Sequence, residues 1–318
     1  MDNTSEDITL ENFDKAIEFL TRVEPAHIGL IGGEPTLHPQ FGEVLQRIID
    51  NPCIPSATIY TNGILLGRYI DLITDPRISL LVNWNSPEML RPGQYQAIQE
   101  SVDALIFEHG MAPRLNLGLN LYDTAMDYSY MMELLKRYGL HKLRISITVP
   151  DFPCGCETDV LEYFRGYKGF LMAFFRDMDA IGVLPYYDCN RPPYCIWSDE
   201  EKSWLESYVS KYPDQENSLV ETNSFCRPPI DILPDLRAVR CFGMSFFEKV
   251  SITDFSTYED LLAHFMRLID ARAYKIAAAE ECRDCYLRRT WLCCQGCMGF
   301  KAEGIKKMIE EAAVYTGL

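Results

Sequence analysis

The sequence predicts an α/β fold, a partial barrel of parallel strands with helices packed outside it, followed by a smaller cysteine-rich domain. Three observations predict this. Short apolar runs alternate with amphipathic helical stretches through the first half of the chain, those runs end in clusters of Gly and Asn, and five of the twelve cysteines fall between Cys282 and Cys297.

Composition narrows the functional classes. With 318 residues, 47% of them apolar and 24% charged, the chain can bury one large core or two smaller ones. A formal charge of -16 argues against a general phosphate-backbone binder, so no nucleic-acid partner is expected. The start, MDNTSEDITL, has neither a basic end nor an apolar segment, and no run reaches membrane-spanning length, so a soluble cytoplasmic protein without membrane association is expected. Twelve cysteines in a reducing compartment, where disulfides rarely persist, point to metal ligation.

The elements follow in order. Leu10, Phe13, Ile17 and Leu20 recur at helical spacing after Thr9, an N-cap residue. HIGLIGG reads as a buried strand and PQFGEVLQRIID as the next helix. SATIYTNG and ISLLVNWN are strands, a helix lies near 93 to 108, LNLGLNLY is a strand, a helix lies near 126 to 138, and LRISITVP is a strand. The aromatic stretch YFRGYKGFLMAFF reads as a core helix face. The barrel is assigned to residues 1–185 and the cysteine-rich domain to 186–318.

In such folds ligands sit at the carboxyl ends of the strands. Here those ends read Gly32-Gly33-Glu34-Pro35, Thr61-Asn62-Gly63, Asn83-Trp84-Asn85 and Asn120, with Arg144 inside the last candidate strand. Glycines let a ligand approach the backbone, and the carboxylate and amides add polar anchors. Taken singly, TNG and NWN read as ordinary turns. Their recurrence at corresponding strand ends favours a ligand cleft.

A strand ending in GGEP, followed by TNG at the end of the next strand, resembles the cofactor-binding half of radical S-adenosylmethionine enzymes. That resemblance covers most of residues 1–180. It implies a partial (β/α)6 barrel in which the backbone of Gly32, Gly33, Glu34 and Pro35 holds the methionyl amino group of S-adenosylmethionine, with Thr61, Asn62, Asn83, Asn120 and Arg144 as pocket candidates. The family also carries Cys-x3-Cys-x2-Cys after the first barrel strand, ligating three irons of a [4Fe-4S] cluster. No cysteine precedes Cys53 here, and Cys53 itself reads as a small buried residue between a helix and a strand.

The last third resembles the SPASM or twitch extension, which binds auxiliary iron-sulfur clusters in radical enzymes acting on peptides. Cys226 and Cys241 bracket RPPIDILPDLRAVR, with Leu236 in the place where that pattern has glycine. CRDCYLRRTWLCCQGC supplies Cys282, Cys285, Cys293, Cys294 and Cys297, with a longer middle spacer than the family's and no cysteine after 297. Cys282, Cys285, Cys294 and Cys297 also form a CxxC-x8-CxxC set suited to zinc, and that alternative stays open. Cys189 and Cys195 flank a Pro-Pro turn, and each reads equally as a cluster ligand or a structural thiol. Cys154 and Cys156 read as loop residues near the cleft mouth.

The resemblance therefore implies an enzyme that generates a 5'-deoxyadenosyl radical to modify a peptide or protein substrate, served by a reducing electron donor. The alternatives are a non-catalytic relative that binds a peptide or partner enzyme, and a zinc-stabilised α/β domain. The sequence reading also expects that Met1 is not the biological start. Sequencing the DNA just upstream is expected to show an in-frame apolar strand followed by Cys-x3-Cys-x2-Cys, and a stop codon with no such motif would refute this.

Overall fold

In the computed structural model, residues 6–149, 159–215, 218–220 and 226–316 are described. The chain divides into two compact units, one from Asn3–Ile145 and Met178–Pro185, the other from Ser146–Asp177 and Tyr186–Leu318.

The first unit starts with α1 (Leu10–Leu20), whose N-cap Thr9 accepts a hydrogen bond from the Asn12 amide, and whose Phe13, Ala16, Ile17 and Phe19 are buried. Strands and helices then alternate: β1 (His27–Leu30), α2 (Phe41–Asp50), β2 (Ser56–Thr61), α3 (Ile70–Ile73), β3 (Ile78–Asn83), α4 (Gln94–Asp103), β4 (Leu115–Leu121), α5 (Ser129–Tyr138), β5 (Lys142–Ile147), α6 (Val160–Ala180) and β6 (Leu184–Tyr187). The six strands lie in sequence order in one sheet, and pairing from β1 to β4 is parallel. Sequential parallel strands joined by helical crossovers give the curling sheet of a partial barrel.

Local sequence explains these elements. Ile78, Leu80, Leu81 and Val82 of β3 are all buried, as a strand covered on both faces requires. Phe41, Val44, Leu45 and Ile48 recur at three- and four-residue steps and form the buried stripe of α2. β6 was not foreseen from the sequence, because LPYY is too short for a period to show and begins two residues after Gly182, which has a φ of 73°. The burial expected for Cys53 is corrected. This residue is exposed on a turn in which the Asn51 side chain accepts its amide, and Ile54 takes the core position instead.

In the second unit, α6 buries Phe164, Leu171, Phe174 and Phe175, bearing out the core-face reading of the aromatic stretch. α7 (Asp199–Val209) opens with a capping box between Ser198 and Glu201. A small antiparallel sheet follows, with β7 (Asp231–Ile232), β8 (Arg237–Val239) and β9 (Val250–Ser251) in that order. α8 (Tyr258–Phe265), α9 (Ala271–Ala273), α10 (Tyr286–Arg289) and α11 (Ala302–Thr316) complete it. Leu236, in the turn from β7 to β8, has a φ of 64°, the left-handed region that favours glycine. No described helix is long and apolar enough to cross a membrane.

Leu45 is fully buried in α2, and the cavity left by Leu45→Ala should lower stability by about 2–5 kcal/mol, read as a reduced urea midpoint with an unchanged slope.

Candidate functional site

The first candidate site is the loop after β1. Gly32 and Gly33 have ordinary negative-φ or extended backbone, and a Cβ at either would meet nothing within 4 Å. Neither turn geometry nor packing demands a glycine at these positions. What their bare backbone provides is an open approach for a ligand. Glu34 is held firmly beneath it. Its Oε1 accepts hydrogen bonds from the Thr36 amide at 3.1 Å, the Thr36 hydroxyl at 2.6 Å and the Thr61 hydroxyl at 2.7 Å, and its Oε2 accepts from the Asn62 amide at 2.7 Å. Pro35 opens the short 3-10 turn Pro35–Leu37 that follows.

Thr61 and Asn62 thus serve the loop from the end of β2. Thr61 Oγ1 also accepts from the Gly63 amide at 3.0 Å, and Asn62 Oδ1 accepts from the Ile64 amide at 2.9 Å. Gly63 has a φ of 84°, and a Cβ there would press on Val82 and Ile98 at 3.0 Å. The TNG segment is therefore both a true turn and the wall that fixes Glu34.

Beside these ends, a cavity of about 110 Å³ lies between the exits of β3 and β4, lined by Trp84, Met89, Gly118, Asn120, Tyr122 and Tyr130 among others. Two buried polar atoms at the end of β3 lack a hydrogen-bond partner among the described residues, Asn83 Oδ1 and Trp84 Nε1. Gly118 makes room for the first, since a Cβ on it would stand 2.4 Å from Asn83 Oδ1. The Tyr130 hydroxyl donates to the Trp84 carbonyl at 2.9 Å, and burial pushes its phenol pKa well up, keeping it a neutral donor. Asn120 is exposed on β4 and accepts from Arg144 Nη1 at 2.8 Å. Asn120 reaches the cavity wall, while Arg144 stands within β5 as its partner.

The cysteines form the second candidate site, all of it within the second unit. Cys195, Cys282, Cys285 and Cys293 line one small cavity together with Arg288 and Gln295. Burial pushes the Cys282 thiol up to about 11, and the neighbouring Cys195, Cys293 and Cys285 add to the rise. Cys189, Cys226, Cys241 and Cys297 form a second group. The Cys297 thiol is pushed well up by burial and then by Cys189, Cys226 and Cys241, with its sulfur accepting the Gly299 amide at 3.4 Å. Burial likewise raises Cys241 to about 11, with Arg240 opposing the rise.

This sorting differs from the zinc arrangement that spacing allowed. Cys294 does not line the cavity, and its Sγ–H donates to the Gly296 carbonyl at 3.2 Å. Cys297 sits with the other group. Among the described residues no three His, Cys, Asp or Glu side chains converge closely enough for one metal ion, which requires sulfurs about 2.3 Å from a shared centre. Cys195, Cys282, Cys285 and Cys293 share one cavity, and Cys189, Cys226 and Cys241 neighbour Cys297. Cys195 lies with the first of these sets and Cys189 with the second. Cys154 and Cys156 lie outside the described residues.

Gly118 and Tyr130 were not singled out from the sequence as site residues, and Trp84 was read only as part of the Asn83-Trp84-Asn85 strand end. The glycine inside LNLGLNLY was a usable signal, because a strand-interior glycine marks close approach. Nothing in the sequence marked Tyr130.

No protein-family model matches the sequence. The chain is 26% identical over 109 residues to a GTP 3',8-cyclase of Chlorobaculum tepidum, a match covering 32% of this chain and 33% of that protein. Among solved structures, Streptococcus suis SuiB bound to S-adenosylmethionine aligns with a TM-score of 0.52 at 15% identity, over 85% of this chain and 61% of that one. A second crystal structure of SuiB aligns with a TM-score of 0.51 at 14% identity, over 82% and 60%. The likeness to SuiB is one of fold, and the chain spans about a third of the curated relative and three fifths of SuiB.

The packing of the turn carrying Cys297 can be tested directly. Gly296 has a φ of 85°, and a Cβ there would lie 2.8 Å from Val160 Cγ2 on α6. Gly296→Ala should cost about 1–3 kcal/mol, measured by thermal melting.

Proposed function

We propose that the chain, whose barrel shares the fold of SuiB, belongs to a radical S-adenosylmethionine enzyme that binds S-adenosylmethionine at Gly32-Gly33-Glu34-Pro35 and carries two auxiliary iron-sulfur clusters. The observation that carries this reading is the gathering of Cys195, Cys282, Cys285 and Cys293 on one small cavity, with Cys226 and Cys241 both facing Arg240 in the same unit.

The residues present fit both groups of ligand. For S-adenosylmethionine, the open backbone of Gly32 and Gly33 accommodates an ammonium at its carbonyls, and Glu34 fixes the loop from below. The orphaned Asn83 Oδ1 is a spare acceptor in the same unit. For the clusters, Cys195, Cys282, Cys285 and Cys293 would hold one, and Cys189, Cys226, Cys241 and Cys297 the other. When bound, S-adenosylmethionine with a reduced [4Fe-4S] cluster would supply radical chemistry toward a C–H bond of the substrate. The thiols that hold that radical-generating cluster in the family have no counterpart before Cys53 in this sequence. The barrel's part is to seat the methionyl end, orient it and keep water away.

A peptide or protein is the substrate class this reading favours, supported by the likeness of the cysteine-rich unit to extensions of peptide-acting enzymes. A reducing electron donor is a partner the chemistry demands, and a reducing cytoplasm is the compartment that keeps the thiols available.

Two measurements test the reading. After anaerobic reconstitution, the cysteine-rich unit should hold about eight irons and about eight acid-labile sulfides per chain, and Cys195→Ala or Cys226→Ala should each lose about half. Stoichiometric zinc without sulfide would refute it.

By calorimetry, Gly33→Val should weaken S-adenosylmethionine binding at least tenfold while the melting temperature stays near wild type, because the new side chain enters open space. Equal affinities would remove the loop from the binding site.

A further inference from the structure

A buried ion pair stands against the second thiol group. Arg240 is 1% exposed and Asp270 4%. The guanidinium makes a two-pronged bond to the carboxylate, Nε to Oδ2 at 2.8 Å and Nη2 to Oδ1 at 2.6 Å. Burying such a pair is costly, and apolar replacements are often as stable or more so, so stability alone does not account for it. The remaining N–H groups face sulfur. Nη1 lies 3.5 Å from Cys226 Sγ and 3.8 Å from Cys241 Sγ, and Nη2 lies 3.5 Å from Cys226 Sγ while also donating to the Cys226 carbonyl at 2.8 Å.

The other thiol group is furnished differently. Arg288 lines its cavity, but its Nη1 and Nη2 donate to the Arg283 and Lys275 carbonyls, at 3.0 and 2.8 Å. Lys301 Nζ donates to the Ala273 and Cys294 carbonyls. Neither of these two cations donates to a cysteine sulfur, so side-chain N–H···S bonding from a buried arginine belongs to the Cys226/Cys241 group.

We propose that Arg240 is a positioning residue for the group held by Cys189, Cys226, Cys241 and Cys297, and that its hydrogen bonds to the two sulfurs raise the reduction potential of that group. The inference rests on the iron-sulfur reading above. Donors to ligating sulfur favour the reduced, more negative state. Asp270 fixes the fork in place and cancels its net charge, so the pair acts through short-range bonds.

This cancellation makes the test two-sided. Arg240→Met with Asp270→Leu removes the bonds without changing net charge, and the potential of the wave that disappears in Cys241→Ala should fall at least tenfold in reduction equilibrium, or 59 mV for one electron. Asp270→Asn keeps the guanidinium and leaves its charge uncompensated, so the same wave should rise. Each would be read by spectroscopic redox titration of reconstituted protein, with the wave that disappears in Cys195→Ala as an internal reference expected to stay in place. A purely structural pair would move the wave in neither variant or in the same direction in both, and either result overturns the proposal. Wild-type protein that takes up no iron and sulfide refutes the underlying reading instead, so the two failures are distinguishable.

Discussion

One carboxylate organises the ligand face of the barrel. Glu34 gathers two backbone amides and two hydroxyls from the exits of β1 and β2, and without it all four donors would need other acceptors in a partly buried corner. The glycines before it can stay bare and open because their shape is imposed from the side by Thr61 and Asn62. A loop fixed this way is set before any ligand arrives, which lowers the ordering cost of binding. The neighbouring exits show the same economy, since Gly118 leaves space that Asn83 fills and Tyr130 braces the Trp84 carbonyl.

The cysteine-rich unit is governed by a different constraint. Its elements are short, and its sheet has two- and three-residue strands. Segments far apart in sequence bring the thiols together: the loop after β6, the β7–β8 hairpin, and the turns on either side of α10. Leu236 shows what that geometry demands. The hairpin turn holds it in a left-handed conformation although it is a leucine, the position where the resembling pattern has glycine. Its side chain is largely buried, so its packing offsets the strain of the backbone.

Much of the barrel was legible in the sequence because its signals are local. Alternating strand and helix periods, the Thr9 cap and the GGEP exit each lie within a few residues, and each reappears in the structure where it was read. Asn83 and Thr61 were legible as strand-end residues, but their differing work, one an orphaned acceptor and the other a brace for Glu34, depends on neighbours across the sheet. The thiol groups show the limit more clearly. Spacing alone pairs Cys294 with Cys282 and Cys285, whereas the fold turns Cys294 to the Gly296 carbonyl and brings in Cys195 from nearly ninety residues upstream. Arg240 was invisible for the same reason, since its meaning comes from Asp270 on a distant helical segment.

The loop between Cys189 and Cys195 serves both thiol groups at once. Its centre is Pro192-Pro193, and Asn190, at a φ of 48°, donates from Nδ2 to the Ile147 carbonyl at 2.7 Å. Once that loop is ordered, the conformational entropy of presenting both thiols has been met together. A substitution that loosens this loop therefore disturbs Cys189 and Cys195 together, although the two sulfurs have different neighbours.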